Sequence, residues 1–178
     1  MHGFEQQDHA LVWRGDHETV FIEPWGQDSL RVRATMGARI RDDLPGVLLA
    51  SPPLNAQVAI GAEQAVIRNG KIAAEISSAG RIRFLNAETE AELLTECEDT
   101  APWRPPARYF RPVSDGLYSL ETYFDAYDDE RFYGLGQHQH GKLNQKGCVI
   151  DLIQYNTEVS VPFVLSNRGY GFLWHNPA

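Results

Sequence analysis

The stretch AVIRNGKIAAEIS, residues 65–77, decides the fold. It divides into two short apolar-rich runs, AVIR and KIAAEIS, on either side of Asn69 and Gly70, in a chain where period-two segments dominate. Period-two alternation is the pattern of a strand with one face buried. An Asn-Gly pair between two such runs predicts an antiparallel hairpin with a type I′ turn, because both central residues of that turn need φ > 0.

The same pattern extends outward in both directions. Upstream, TVFIE (Thr19 to Glu23) and LRVRA (Leu30 to Ala34) flank PWGQDS, whose Pro24, Gly26 and Asp28 are turn formers, so a second antiparallel pair is expected. Downstream, RIRFLN (Arg81 to Asn86) and ELLTE (Glu92 to Glu96) continue a meander of four short strands. APWRPPARYFRP (Ala101 to Pro112) carries Pro102, Pro105, Pro106 and Pro112 and lacks alternation, so it reads as a surface connection. Strands then resume in LYSLETYF (Leu117 to Phe124), RFYGLG (Arg131 to Gly136), CVIDLI (Cys148 to Ile153), SVPFVLS (Ser160 to Ser166) and YGFLW (Tyr170 to Trp174). The segment Ser51 to Gln64 fits neither pattern. Many short strands without convincing helix predict an all-β, two-sheet antiparallel β-sandwich.

The bulk properties narrow the function. A chain of 178 residues suits one compact domain with its own core. A net charge of −8 and scattered basic residues disfavour nucleic acid as a partner. No apolar run approaches the roughly 20 residues that span a bilayer, and the first residues lack a signal peptide's basic start and apolar centre. The expectation is therefore a cytoplasmic protein with no membrane partner; homo-oligomerisation is compatible with it. Cys97 and Cys148 are too few for a disulfide framework and are expected as buried free thiols.

Several residue groups invite chemical readings. Gly134 and Gly136 begin a G-x-G, but Gln139 stands where a third glycine belongs and no helix follows, which leaves a strand-ending bulge or close backbone packing. His138 and His140 would share a strand face, yet a metal site wants a third or fourth ligand, so no metal and no cofactor are expected. Asp125, Asp128, Asp129 and Glu130 resemble a glycosidase carboxylate pair, which needs a fixed separation of roughly 5 to 10 Å, but acid-rich turns are usually solvated. No G-x-S-x-G or comparable nucleophile signature occurs.

Taken together, residues 130–178 closely resemble the end of the N-terminal domain in glycoside hydrolase family 31, the α-glucosidase and α-xylosidase family. The residues that carry the resemblance are Phe132 to Gly136, Lys146 and Gly147, Asn156 and Thr157, and Pro162 to Gly171. The earlier half, from HALVWRGD onward, extends it over residues 1–178, and the QKG and NTE steps look most like α-xylosidase members. The resemblance implies a galactose-mutarotase-like sandwich belonging to a retaining α-glycosidase. Its nucleophile and acid/base would be aspartates of a (β/α)8 barrel, and such a barrel takes about 250 residues, so it is expected to be absent here. No catalytic residue is carried over, and the chain alone is expected to be inactive.

What the resemblance assigns to this domain is a wall of the sugar pocket. It maps the family's pocket-lining loop to Gln154, Tyr155, Asn156, Thr157 and Glu158. The expected partners are an α-linked saccharide, met through the full-length enzyme, and the enzyme's own catalytic barrel. From composition alone the same five residues read as a polar turn between strands. A stand-alone carbohydrate-binding or mutarotase-like module is the alternative, since a sandwich does not determine its function.

Overall fold

The computed structural model describes residues 3–37, 40, 48–49, 55–98, 106–114 and 116–175. Among them there is no helix, and every paired strand is antiparallel. They group into two compact units, one up to Asp125 and the other from Ala126 onward.

The first unit contains a four-stranded sheet in chain order, β1 (Gly3–Gln7), β2 (Ala10–Arg14), β3 (Thr19–Pro24) and β4 (Leu30–Thr35). A five-stranded sheet follows, again in chain order: β5 (Gln57–Ile60), β6 (Gln64–Asn69), β7 (Ile72–Ser77), β8 (Ile82–Asn86) and β9 (Glu92–Thr95). Alternation places Leu11, Trp13, Val20 and Ile22 of one sheet against Ala65, Ile67, Ala74, Ile76 and Ile82 of the other in a single buried cluster. This is the core of a β-sandwich, and neither sheet could bury its apolar face without the other.

The 65–77 hairpin forms, with one correction. Asn69 pairs with Ile72, so the two-residue loop is Gly70-Lys71 and not Asn69-Gly70. Gly70 has φ +60 while neither Asn69 nor Lys71 has positive φ, which departs from the type I′ pattern. The reason is tertiary. Asn69 ends the inward-facing row of β6, and its buried amide Nδ2 donates to the Gly26 and Ser29 carbonyls at 2.8 and 2.7 Å. It therefore stays in the ladder as a link to the β3–β4 turn of the opposite sheet.

The remaining strands of this unit are β10 (Arg108–Pro112) and β11 (Tyr118–Thr122), paired as a ribbon. Reading Ala101 to Pro112 wholly as a surface connection is thus incorrect for its second half, while 101–105 lie outside the described residues. Local composition misses β10 because a buried ion cluster secures it. The Arg108 guanidinium donates to Glu18 Oε1 at 2.6 Å, to the Gly80 carbonyl at 2.7 Å and to the buried Glu96 carboxylate. Burial pushes the Glu96 carboxyl above its ordinary range despite the opposing pull of Arg108.

The second unit holds β12 (Phe132–Gln137), β13 (Val159–Ser166) and β14 (Tyr170–Leu173), with β13 in the middle. The expected strand at Cys148 to Ile153 does not form; those residues are irregular and mostly exposed. Its apolar letters found no ladder to join, because β12 pairs directly with β13. Cys97 and Cys148 are free thiols as expected, but half-buried and not fully enclosed. Of the ambiguous Ser51 to Gln64 segment, 51–54 lie outside the described residues and 57–60 form β5.

Candidate functional site

The candidate site is the pair of loop ends that flank the β12–β13 ladder. Gln137 pairs with Val159, so residues 138–140, which leave β12, come beside residues 154–158, which enter β13. What allows this is the glycine pair. Gly134 and Gly136 have φ +112 and +98, and the register slips between them, so that Leu135 alone stands opposite Val161 to Phe163. A Cβ on Gly136 would lie 1.9 Å from the Val159 carbonyl oxygen. The glycines thus serve a bulge and close backbone approach, as their residue type suggested.

Within 154–158 three of the five side chains are engaged in local hydrogen bonds. Gln154 Nε2 donates to the Glu158 carbonyl and, at 3.3 Å, to that of Tyr155, while its Oε1 accepts from the Ser160 N–H at 3.3 Å. The Thr157 hydroxyl accepts from Gln139 Nε2. Glu158 Oε1 accepts from the Gln139 N–H at 3.4 Å, and Oε2 lies 3.5 Å from His138 Nδ1. Tyr155 differs, being 55% exposed. Neither its side chain nor that of exposed Asn156 makes a hydrogen bond among the described residues. The five residues are therefore brought together, but as two outward-facing side chains carried by three that hold the loop.

The other candidates sort differently. His138 and His140 lie beyond the end of β12 rather than on a strand face, with their rings stacked 5.7 Å apart. No group of three or more His, Cys, Asp or Glu able to hold a metal ion occurs among the described residues. Glu130 is not a solvated turn acid; it is 2% exposed and accepts hydrogen bonds from the Ser166 and Tyr170 hydroxyls at 2.5 and 2.8 Å. Burial and that bond to Glu130 hold the Tyr170 phenol well above its usual range. Sequence reasoning missed this pairing because Glu130 and Tyr170 sit 40 residues apart, and it takes both the β12–β13 ladder and the β13–β14 turn to bring them together. Lys146 and Asn167 fix the same corner. Lys146 Nζ donates to the Tyr127 and Asp128 carbonyls, and Asn167 Oδ1 accepts the Arg131 N–H at 2.6 Å. The K-G and S-N-R-G-Y-G steps thus hold the fold, while the N-T step is exposed.

The sandwich and this loop pair define a class of domain. Residues 19–178 match the family described as the glycosyl hydrolase 31 N-terminal galactose mutarotase-like domain, and the chain belongs to that family. Among its relatives, an uncharacterised family 31 glucosidase from Pseudescherichia vulneris is 35% identical across 95% of this chain and 35% of its own length. A family 31 α-xylosidase from a soil metagenome, solved with xylose, is 38% identical with a TM-score of 0.90 over 98% of this chain and 28% of that one. For the family 31 α-xylosidase of Xanthomonas citri the values are 28% identity and 0.80, over 97% and 19%. The chain thus spans little more than a third of these relatives at most.

Proposed function

We propose that this chain is the N-terminal domain of a retaining α-glycosidase of the α-xylosidase type, packed on a catalytic (β/α)8 barrel and lending residues 154–158 to the sugar pocket. The observation that carries the reading is the match across almost all of this chain to only 28% of a xylose-bound α-xylosidase. The surface of the second unit supports it. Val159, Val161, Phe163 and Leu165 alternate along β13 and are each at least a third exposed, as is Leu173 opposite Phe163 on β14. An apolar strip of that kind is costly in water and suits burial against further protein.

The test is an assay of the full-length protein with nitrophenyl α-xyloside and α-glucoside, following the anomer first released by NMR. Faster turnover of the xyloside with retention supports the proposal; activity on neither substrate, or inversion, overturns it. Residues 1–178 alone should hydrolyse neither, because both carboxylates would come from the barrel. Tight saccharide binding by residues 1–178 alone would point instead to a stand-alone carbohydrate module, since one wall of a pocket buries little of a ligand.

A further inference from the structure

We propose that His138 and Gln139 are positioning residues for the 154–158 loop, acting through Glu158 and Thr157 to present Tyr155 and Asn156 as the sugar-contacting pair. The loop's part in sugar binding rests on the reading above; the positioning rests on geometry alone. The His138 side chain is only 6% exposed, and its Nε2–H donates to the Leu135 carbonyl at 2.8 Å. That bond leaves Nδ1 facing Glu158 Oε2 at 3.5 Å, a contact that becomes an ion pair when the ring is protonated. The next residue completes the grip. The Gln139 N–H faces the other Glu158 oxygen at 3.4 Å, and its side-chain amide donates to the Thr157 hydroxyl. Two consecutive residues therefore engage both carboxylate oxygens of Glu158 and the hydroxyl of its neighbour.

The backbone shows why such a splint is needed. Leu135 and Thr157 both carry positive φ, +65 and +74, a conformation that residues other than glycine hold only when their surroundings impose it. Each is gripped by the splint, Leu135 through its carbonyl to His138 and Thr157 through its hydroxyl to Gln139. Between these fixed points the side chains of Tyr155 and Asn156 are left free for a ligand. Glu158 is then an anchor for the loop and not a sugar ligand. A wall held in place before binding loses less freedom when the ligand arrives, so its loosening weakens binding more than it slows the bond-breaking step.

The experiment uses the full-length protein with His138→Leu, Gln139→Ala, Glu158→Gln and Glu158→Ala. In hydrogen exchange, the peptide spanning Thr157 and Glu158 should exchange about tenfold faster in His138→Leu and Glu158→Ala, while distant peptides are unchanged. On an aryl α-xyloside these two variants should raise KM about fivefold or more with kcat within about twofold. Glu158→Gln, which keeps an acceptor for the Gln139 N–H, should stay within about threefold of wild type. Adding His138→Leu to the Tyr155→Ala/Asn156→Ala double variant should change KM little further, because the splint acts through those two side chains. Unchanged exchange of that peptide in both His138→Leu and Gln139→Ala would overturn the proposal. Gln139→Ala removes only one exposed side-chain contact and should also speed exchange of that peptide, so it decides the matter even if His138→Leu fails to fold. Faster exchange with Tyr155→Ala kinetically silent would uphold the positioning and sink the sugar-wall reading.

Discussion

Asp28 Oδ1 accepts the backbone N–H of Lys71 at 2.8 Å across 43 residues of chain, joining the turn of one sheet to the turn of the other. Asn69 completes the latch from the opposite side through the Gly26 and Ser29 carbonyls. The two hairpins at this end of the sandwich are thus fastened by polar groups at the rim of an apolar core.

Asn69→Ala should therefore cost about 2 kcal/mol, since two good hydrogen bonds vanish and two carbonyls lose their partner. Gly70→Val should cost at least as much, because its Cβ would fall 2.0 Å from Asp28 Oδ1 at a φ of +60. Urea midpoints of both variants check this; an unchanged midpoint for Asn69→Ala would mean the latch contributes nothing.

Arg108→Met should destabilise the protein by about 3 kcal/mol near neutral pH, because Glu96 is left buried without its counter-ion. The pH dependence has a defined sign. Burial raises the folded pKa of Glu96 above its ordinary 4.5, so its contribution is fully present below that value and is lost as pH rises through the folded pKa. Without Arg108 the raise is larger and the loss extends to higher pH. Urea unfolding at about pH 5 and pH 7.5 should show a smaller penalty for the variant at the lower pH.

Gly136→Ala should cost about 2 to 3 kcal/mol, through a φ of +98 and a contact of 1.9 Å with the Val159 carbonyl. Because Gln137 and Val159 pair next to it, the damage should reach the candidate loop. Hydrogen exchange of residues 154–160 should rise in this variant while that of β6 and β7 holds.

Asn156→Ala in the full-length protein should lower kcat/KM about tenfold, or about 1.4 kcal/mol, with the urea midpoint unmoved. Asn156 spends no side-chain hydrogen bond on the fold among the described residues, so nothing structural is lost. A fall in stability with kcat/KM unchanged would assign the loop a purely structural role.

How far each of these features could be read from letters depends on the range of the force behind it. The period-two runs at 19–23, 30–34, 65–77 and 81–86 determined strands and pairing locally, because alternation with a turn between two runs leaves few other ways to bury the apolar face. Gly134 and Gly136 likewise announced a bulge through residue type alone. The turn at Gly70 was misplaced by one position because Asn69 answers to carbonyls 40 and 43 residues away, which outweigh its own turn preference. Cys148 to Ile153 has strand letters and no strand, since a strand needs a partner and β13 already had two. Arg108, Glu130 and the His138–Glu158 contact lay beyond sequence reasoning for a shared reason: a charge becomes buried, or an anchor, only when distant segments close over it. The sequence by itself thus determined the all-β class, through short-range alternation and turn chemistry, while the candidate loop at 154–158 was marked only by the resemblance to family 31. Which of the loop's five residues hold it and which face outward was decided by the tertiary structure, because that depends on the residues at 138 and 139 that the bulged ladder sets beside it.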